Sequence, residues 1–197
     1  MPLQLTPLGA DRFDDWRREA RTRLIALRRE SGALVGDEAA TDADAFLAHL
    51  LPDGYETPTS RIFSIVDAEH ELGTIWLGSV DEKLFVIDLA LAGELTGGQR
   101  DELFASLEAI AREREATRIS VGLYVGDRAG RALIDGRGFT VASIQMVLEP
   151  LPERDGASSL EVSPMTAERY PVFAAASEAG FADDLVASGR YTAEAAA

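Results

Sequence analysis

Three apolar segments follow one another directly in the middle of this chain, separated only by short polar turns, and this succession constrains the fold most strongly. Arg61–Val66 and Leu72–Val80 flank the polar turn Asp67–Glu71, and Leu84–Leu91 follows the turn Asp81-Glu82-Lys83. Segments of this length, rich in Ile, Val, Phe and Leu and bounded by turn residues, predict strands. Turns this short allow only antiparallel neighbours, because a parallel connection needs a long crossover.

The elements on either side follow from periodicity. Leu3–Thr6 predicts a short strand. Phe13, Trp16, Ala20, Leu24 and Leu27 recur three or four positions apart, the stripe of an amphipathic helix. Thr41 is the expected N-cap of a second helix running to Leu51 and stopped by Pro52. Beyond the three strands, the loop Gly93–Gly98 leads into a helix from about Gln99 to Arg114, with Leu103, Leu107 and Ile110 as its buried stripe. Arg118–Val125 predicts a strand, Ala129–Asp135 a helix and Thr140–Leu148 a last strand. The order β-α-α-β-β-β-α-β-α-β predicts an α+β architecture, a mixed and mostly antiparallel central sheet flanked by helices.

Composition narrows the chemistry. The chain has 197 residues, 46% of them hydrophobic, enough for one substantial domain without a covalent staple. It contains no cysteine, which excludes disulfides, thiolate metal ligands and a cysteine nucleophile. His49 and His70 have no evident partner in the sequence, so no metal site is expected. No Gly-x-Ser-x-Gly elbow occurs, and no glycine pair is followed by the Lys-Ser/Thr of a phosphate-binding P-loop. With 19 Lys+Arg against 34 Asp+Glu, the net charge of −15 opposes nucleic-acid binding. Six arginines (Arg17, Arg18, Arg21, Arg23, Arg28 and Arg29) crowd the first helix, and they read as its solvated face. No run approaches the roughly 20 apolar residues that span a bilayer, and the N-terminus lacks the basic and apolar regions of a secretory signal. No membrane association and a cytoplasmic location are the expectations.

The two ends of the chain resemble each other. An ungapped alignment lays Leu5–Trp16 over Val162–Phe173, so that Pro7 meets Pro164, Arg12 meets Arg169, Phe13 meets Tyr170 and Trp16 meets Phe173. At the same displacement Leu24 meets Phe181 and Ser31-Gly32 meets Ser188-Gly189. The expected organisation is a domain over residues 1–150, a linker over 151–159 and a partial second repeat over 160–197. That repeat forms a C-terminal strand-helix extension. Phe173, Phe181 and Leu185 would need a surface to bury against, which predicts a homo-oligomer or docking of residues 160–197 within the chain.

In element order over residues 1–150 the chain resembles the GNAT superfamily of acyl-CoA N-acetyltransferases. Gly138-Phe139 looks like the family's Gly-Phe before the last strand, Leu133 like the aliphatic residue of the preceding helix, and LTPLGADRFDDW with LPDGYETP like the opening of a subgroup. The resemblance implies acetyl-CoA as cosubstrate and a small amine as acceptor. It also implies a central strand, Leu84–Leu91, that parts from its neighbour so that backbone at Leu91 and Ala92 can pair with the pantetheine arm. The pyrophosphate loop of the family falls on Leu95-Thr96-Gly97-Gly98-Gln99-Arg100. Gly97, Gly98, Gln99 and Arg100 are therefore candidate cofactor-binding residues, together with Asp127 at the position of a family asparagine.

The sequence departs from the family at several of these positions. Leu95 and Arg100 replace two signature residues of the loop, and Arg100 could pair with phosphate or block its approach. The family's base position falls at Ala90, and its tyrosine acid falls at Ile134. Asp88 is the only carboxylate in the central strand, with a site-facing or a solvent-facing role both open to it. Tyr124 is the nearest phenol, either a substitute acid or a packed aromatic. Catalytic residues are left unassigned, and two readings follow. One is an acetyl-CoA-dependent N-acetyltransferase; the other is a non-catalytic GNAT-like domain serving as the scaffolding half of a tandem protein.

Overall fold

A computed structural model describes residues 3–32, 34, 36–68, 70–146, 148, 163–187 and 194. The chain divides into two compact units, Met1–Phe139 and Thr140–Ala197.

The first unit is built on a five-stranded sheet with strands in sequence order: β1 (Leu3–Pro7), β2 (Ser60–Asp67), β3 (His70–Val80), β4 (Lys83–Leu91) and β5 (Arg118–Val121). β1 to β4 pair antiparallel, and β4 pairs parallel with β5. The two hairpins predicted from the short turns are present. Their turns hold Ala68 (φ 56°) and Asp81 (φ 52°) in the left-handed region that tight hairpins require. The last strand of the unit ends at Val121, not at the predicted Val125, because Gly122 to Val125 meet no partner strand among the described residues.

Helices α1 (Phe13–Glu30) and α2 (Glu38–Leu50) cover one face of the sheet, and α3 (Gly97–Glu113) and α4 (Arg128–Ile134) complete the other. The strands alternate between two cores. Ile75 and Leu77 of β3 join Leu103 and Leu107 of α3, while Trp76 joins Trp16, Leu24 and Leu47 under α1 and α2. Trp76 is fully buried, meets Trp16 edge-on at 5.4 Å and donates its indole N–H to Ser60 Oγ at 3.3 Å. This two-sided burial is why β3 and β4 read as nearly continuous apolar runs.

Two expectations for the helices are corrected. α2 begins at Glu38, one turn before Thr41, whose hydroxyl donates to the Asp37 carbonyl as an interior threonine does. The arginine-rich face of α1 is not wholly solvated. Arg28 takes the last buried position of the stripe, in an ion pair with Asp42 and beneath the rings of Phe46 (5.0 Å) and Tyr124 (5.9 Å). Leu27 is displaced to the flank.

Two side-chain features lock the sheet. Arg12 forms a two-pronged ion pair with Glu71 at 2.8 and 2.9 Å, joined by Ser64. Gly73 of β3 has φ 153°, and a Cβ there would lie 2.0 Å from the Ala90 carbonyl oxygen of β4. Only glycine permits this approach.

The second unit is described by itself. Its helix α5 (Tyr170–Ala187) has 18 residues, as α1 has, and both ends are displaced from those of α1 by the spacing of the end-to-end alignment. No residue of α5 is buried, and Phe173 and Phe181 are 52% and 64% exposed. The predicted strand Thr140–Leu148 is not formed at residues 140–146 and 148, because no neighbouring strand supplies a hydrogen-bond ladder there. Val141, Ile144, Met146 and Leu148 are exposed. The predicted linker 151–159 and residues 160–162 lie outside the described residues. Ser163, which the end-to-end alignment lays against the last residue of the Leu3–Thr6 strand, carries no regular structure.

Two outcomes follow from the locks. Arg12 hydrogen bonding holds the Glu71 carboxyl below its ordinary value of 4.5, with burial opposing. A depressed carboxyl contributes stability above the unfolded value and loses it as pH falls through the folded one. The stability difference between wild type and Glu71→Gln is therefore expected at pH 7 and should vanish in chemical denaturation well below pH 4.5. Gly73→Ala should cost about 1–3 kcal/mol, read as a lower thermal midpoint.

Candidate active site

A register shift in the central strand organises the site. Trp76 of β3 faces Asp88 of β4, but its neighbour Leu77 faces Val86, so Ile87 is an extra residue. A bulge of this kind breaks the alternation of side chains. Leu84 and Val86 face the α3 core, Ile87 packs with the α1–α2 core, Asp88 lies on that same side, and Leu89 returns to the α3 core. Two consecutive residues, Ile87 and Asp88, thus share a face.

The same place ends the pairing with β5. β4 and β5 are bonded over Lys83–Val86 only, and on that side Ile87–Leu91 meet no strand among the described residues. The strands part, and the gap is the floor of a cleft of about 650 Å³. Its walls are Arg23, Ala26, Leu27 and Glu30 of α1, the loop Gly93–Leu95, Arg100 of α3, and the segment from Gly126 to Leu133.

The N-terminus of α3 lies between Leu95 and Arg100, both of which line the cleft. Thr96 is its cap: the threonine hydroxyl accepts from Gln99 N–H at 3.2 Å, and Thr96 N–H donates back to Gln99 Oε1 at 2.9 Å. The Gln99 amide also donates to Asp67 at 2.8 Å. The helix therefore starts at Gly97, two residues before the predicted start. The N–H groups of Gly97 and Gly98 have no helical acceptor, and both residues are exposed. Open space surrounds the Cβ position of Gly98. The side chain of Arg100 lines the cleft with no hydrogen bond or ion pair among the described residues.

Also in the lining, Arg23 donates to Asp88 Oδ2 at 2.7 Å. The Asp88 side chain is 5% exposed and that of Arg23 28%. The Arg23 Nε is buried and has no partner among the described residues.

The sequence-derived candidates divide accordingly. Leu91, Arg100 and Asp127 line the cleft; Asp127 caps α4 by accepting from Gly130 N–H at 2.8 Å. Gly97 and Gly98 form the helix start beside it. Gln99 contributes the cap. The Ala92 N–H is spent on the Leu72 carbonyl at 2.8 Å, so only its carbonyl is left for a ligand. Tyr124, whose ring faces Arg28, and Ile134 do not line the cleft. His49 and His70 are exposed, and among the described residues no group of three metal-ligating side chains occurs. No described helix is long and apolar enough to cross a membrane.

The architecture recurs in known proteins. The chain is 22% identical over 152 residues to the uncharacterised N-acetyltransferase YycN of Bacillus subtilis, matching 74% of this chain and 97% of that protein. The crystal structure of YycN matches with a TM-score of 0.67 at 20% identity, over 76% of this chain and 99% of the other. The chain has the GNAT fold. A second GNAT-like match is a predicted acetyltransferase from Clostridium acetobutylicum, solved with acetyl-CoA. Its TM-score is 0.50 at 11% identity, covering 74% and 95% of the two chains. No family model matches the sequence.

Within this GNAT fold, Arg23 and Asp88 lie 65 residues apart in sequence and meet only in the tertiary structure. A signal was available, since Arg23 flanks the buried stripe of Ala20 and Leu24, and Asp88 interrupts the most apolar strand. Thr96→Ala removes the cap at the cleft and should cost about 1 kcal/mol, measured by denaturant unfolding.

Proposed function

We propose that the chain is an acetyl-CoA-dependent N-acetyltransferase acting on a small amine. The parting of β4 from β5 at the bulge carries this reading. It leaves backbone groups of Ile87–Leu91 without strand partners along the floor of a cleft, the kind of edge an extended amide-bearing chain can join. The α3 N-terminus, next in sequence to the lining residue Leu95, offers N–H groups of Gly97 and Gly98 that have no helical acceptor and suit a pyrophosphate. The guanidinium of Arg100, without a partner among the described residues, lines the cleft and favours an anion. YycN, named an N-acetyltransferase, and the Clostridium protein with acetyl-CoA support the same assignment.

In this reading the acceptor nitrogen attacks the thioester carbonyl carbon within the cleft, and the CoA sulfur leaves. Ala90 and Ile134 supply no proton transfer at the positions where the family carries its base and acid. The rate then depends on holding the two substrates together, a contribution that alone can reach several orders of magnitude. The sequence resemblance between the ends, together with the matched bounds of α1 and α5, supports reading residues 160–197 as the start of a second repeat.

Binding is the first test. With about 1 mM acetyl-CoA and a dissociation constant of about 10 µM, the chain should gain about 2.7 kcal/mol, a rise in thermal midpoint of roughly 5 °C. Plain CoA should give a similar shift, and Arg100→Ala a smaller one. No shift with either ligand would overturn the acetyltransferase reading and favour a scaffolding role.

A further inference from the structure

We propose that Arg28 and Tyr124 form a clasp that ties the α4 wall of the cleft to the α1 wall and so sets the width between them. Neither residue lines the cleft, so both are positioning residues. The inference rests on the acetyltransferase reading, because acetyl-CoA is the ligand whose fit depends on that width.

The path of the chain after β5 is the first argument. β5 ends at Val121, and residues 122–127 continue without a strand partner among the described residues. They lead into α4, whose seven residues are too few to keep their place by helical bonds alone. The C-terminal end of α4 is fixed on the α3 side: Leu133 is buried in the α3 core, and beyond the helix Arg137 donates to Asp101 and lies 4.5 Å from the centre of the Phe104 ring. The N-terminal end, where Asp127, Arg128 and Ala129 line the cleft, is tied by two consecutive residues of the incoming segment. Leu123 packs on α4 so closely that a Cβ at Gly130 would run into its Cδ2. Tyr124 turns to α1, with its ring centre 5.9 Å from the Arg28 guanidinium. At Gly126 the walls meet, since a Cβ there would lie 3.2 Å from Glu30 Oε2 and both residues line the cleft.

The residue at position 28 is the second argument. It follows Phe13, Trp16, Ala20 and Leu24 in the buried stripe of α1, where an apolar side chain would close the core without desolvating a charge. Arg28 is instead 3% exposed, and its guanidinium is fixed by the ion pair with Asp42, by the Leu24 carbonyl at 3.4 Å and by the Phe46 ring at 5.0 Å. A cation held in this way attracts a further ring, and Tyr124 brings one from a segment that has no strand ladder to place it. The phenol nearest the family's acid position in the sequence thus serves the wall of the cleft.

The test uses the full chain, with the acetyl-CoA dissociation constant measured by calorimetry well below the unfolding transition and the thermal midpoint of the free protein measured separately. Tyr124→Ala should weaken acetyl-CoA binding by about 10-fold, whereas Tyr124→Phe, which keeps the ring, should bind as wild type does. Arg28→Met should weaken binding by a similar factor, and Arg28→Lys should recover part of the loss. Arg28→Met combined with Tyr124→Ala should bind no worse than either single variant, since both remove the same contact. Should Arg28→Met fail to fold, the two Tyr124 variants decide. In the free protein, Tyr124→Ala should also speed hydrogen exchange at residues 123–130. A Tyr124→Ala chain that melts earlier yet binds acetyl-CoA as tightly as wild type would make the contact merely structural and overturn the clasp, leaving the acetyltransferase reading intact. Additive losses in the double variant would do the same. A wild-type chain that does not bind acetyl-CoA would overturn the acetyltransferase reading itself, and this inference with it.

Discussion

The extra residue at Ile87 in the central strand is the constraint on which the rest of the molecule turns. β4 stays paired with β3 on both sides of the bulge while leaving β5 after Val86; the bulge bends the strand at the cost of one unpaired residue in the β3–β4 ladder. The consequences spread outward. The α3 core receives Leu84, Val86 and then Leu89, the α1–α2 core receives Ile87, and the gap beyond Val86 becomes a cleft, not a continued sheet. Gly73 belongs to the same arrangement, since only a residue without Cβ lets β3 come so close to Ala90 at the far end of the opened strand.

Around this strand the two cores divide the work. The α3 side is almost purely aliphatic and carries the helix whose capped start faces the cleft. The α1–α2 side is aromatic, built on Trp76 against Trp16 and Phe46, and it tolerates charge at its edge where Arg28 lies beneath two rings. Such a cation is stabilised by the ring faces and by its bond to Asp42 together, since neither partner alone encloses the guanidinium. That helix therefore has two roles: its apolar stripe closes a core, and its flank, through Arg23, Leu27 and Glu30, forms a wall of the cleft.

The cleft itself is electrostatically divided. Its lining includes Arg100, whose side chain has no partner among the described residues, and the compensated Arg23–Asp88 pair, while helix N–H groups without a helical acceptor lie at Gly97 and Gly98 of α3. An overall charge of −15 gives no hint of this, because surface charge says nothing about the few ionic groups that line a concave site. The second unit presents the opposite situation. α5 repeats the length and aromatic spacing of α1, yet Tyr170, Phe173 and Phe181 are exposed where their counterparts Phe13, Trp16 and Leu24 are buried.

What the sequence determined by itself was the local and periodic part. The three successive strands, the stripe of α1, the glycine loop before α3 and the lack of thiol chemistry are all legible because each depends on residues near one another in the chain. The position of Gly97, Gly98 and Arg100 at the start of α3 was legible for the same reason. Register was not. Whether Asp88 faces solvent, core or cleft depends on how β4 lies against β3, and one inserted residue reverses the answer for every residue beyond it. The pairing of Arg23 with Asp88 and the burial of Arg28 likewise depend on elements far apart in sequence. So does the fate of Thr140–Leu148, whose alternation reads as a strand but whose described residues find no neighbouring strand. A strand exists only when another edge satisfies its backbone, and that decision belongs to the tertiary structure alone.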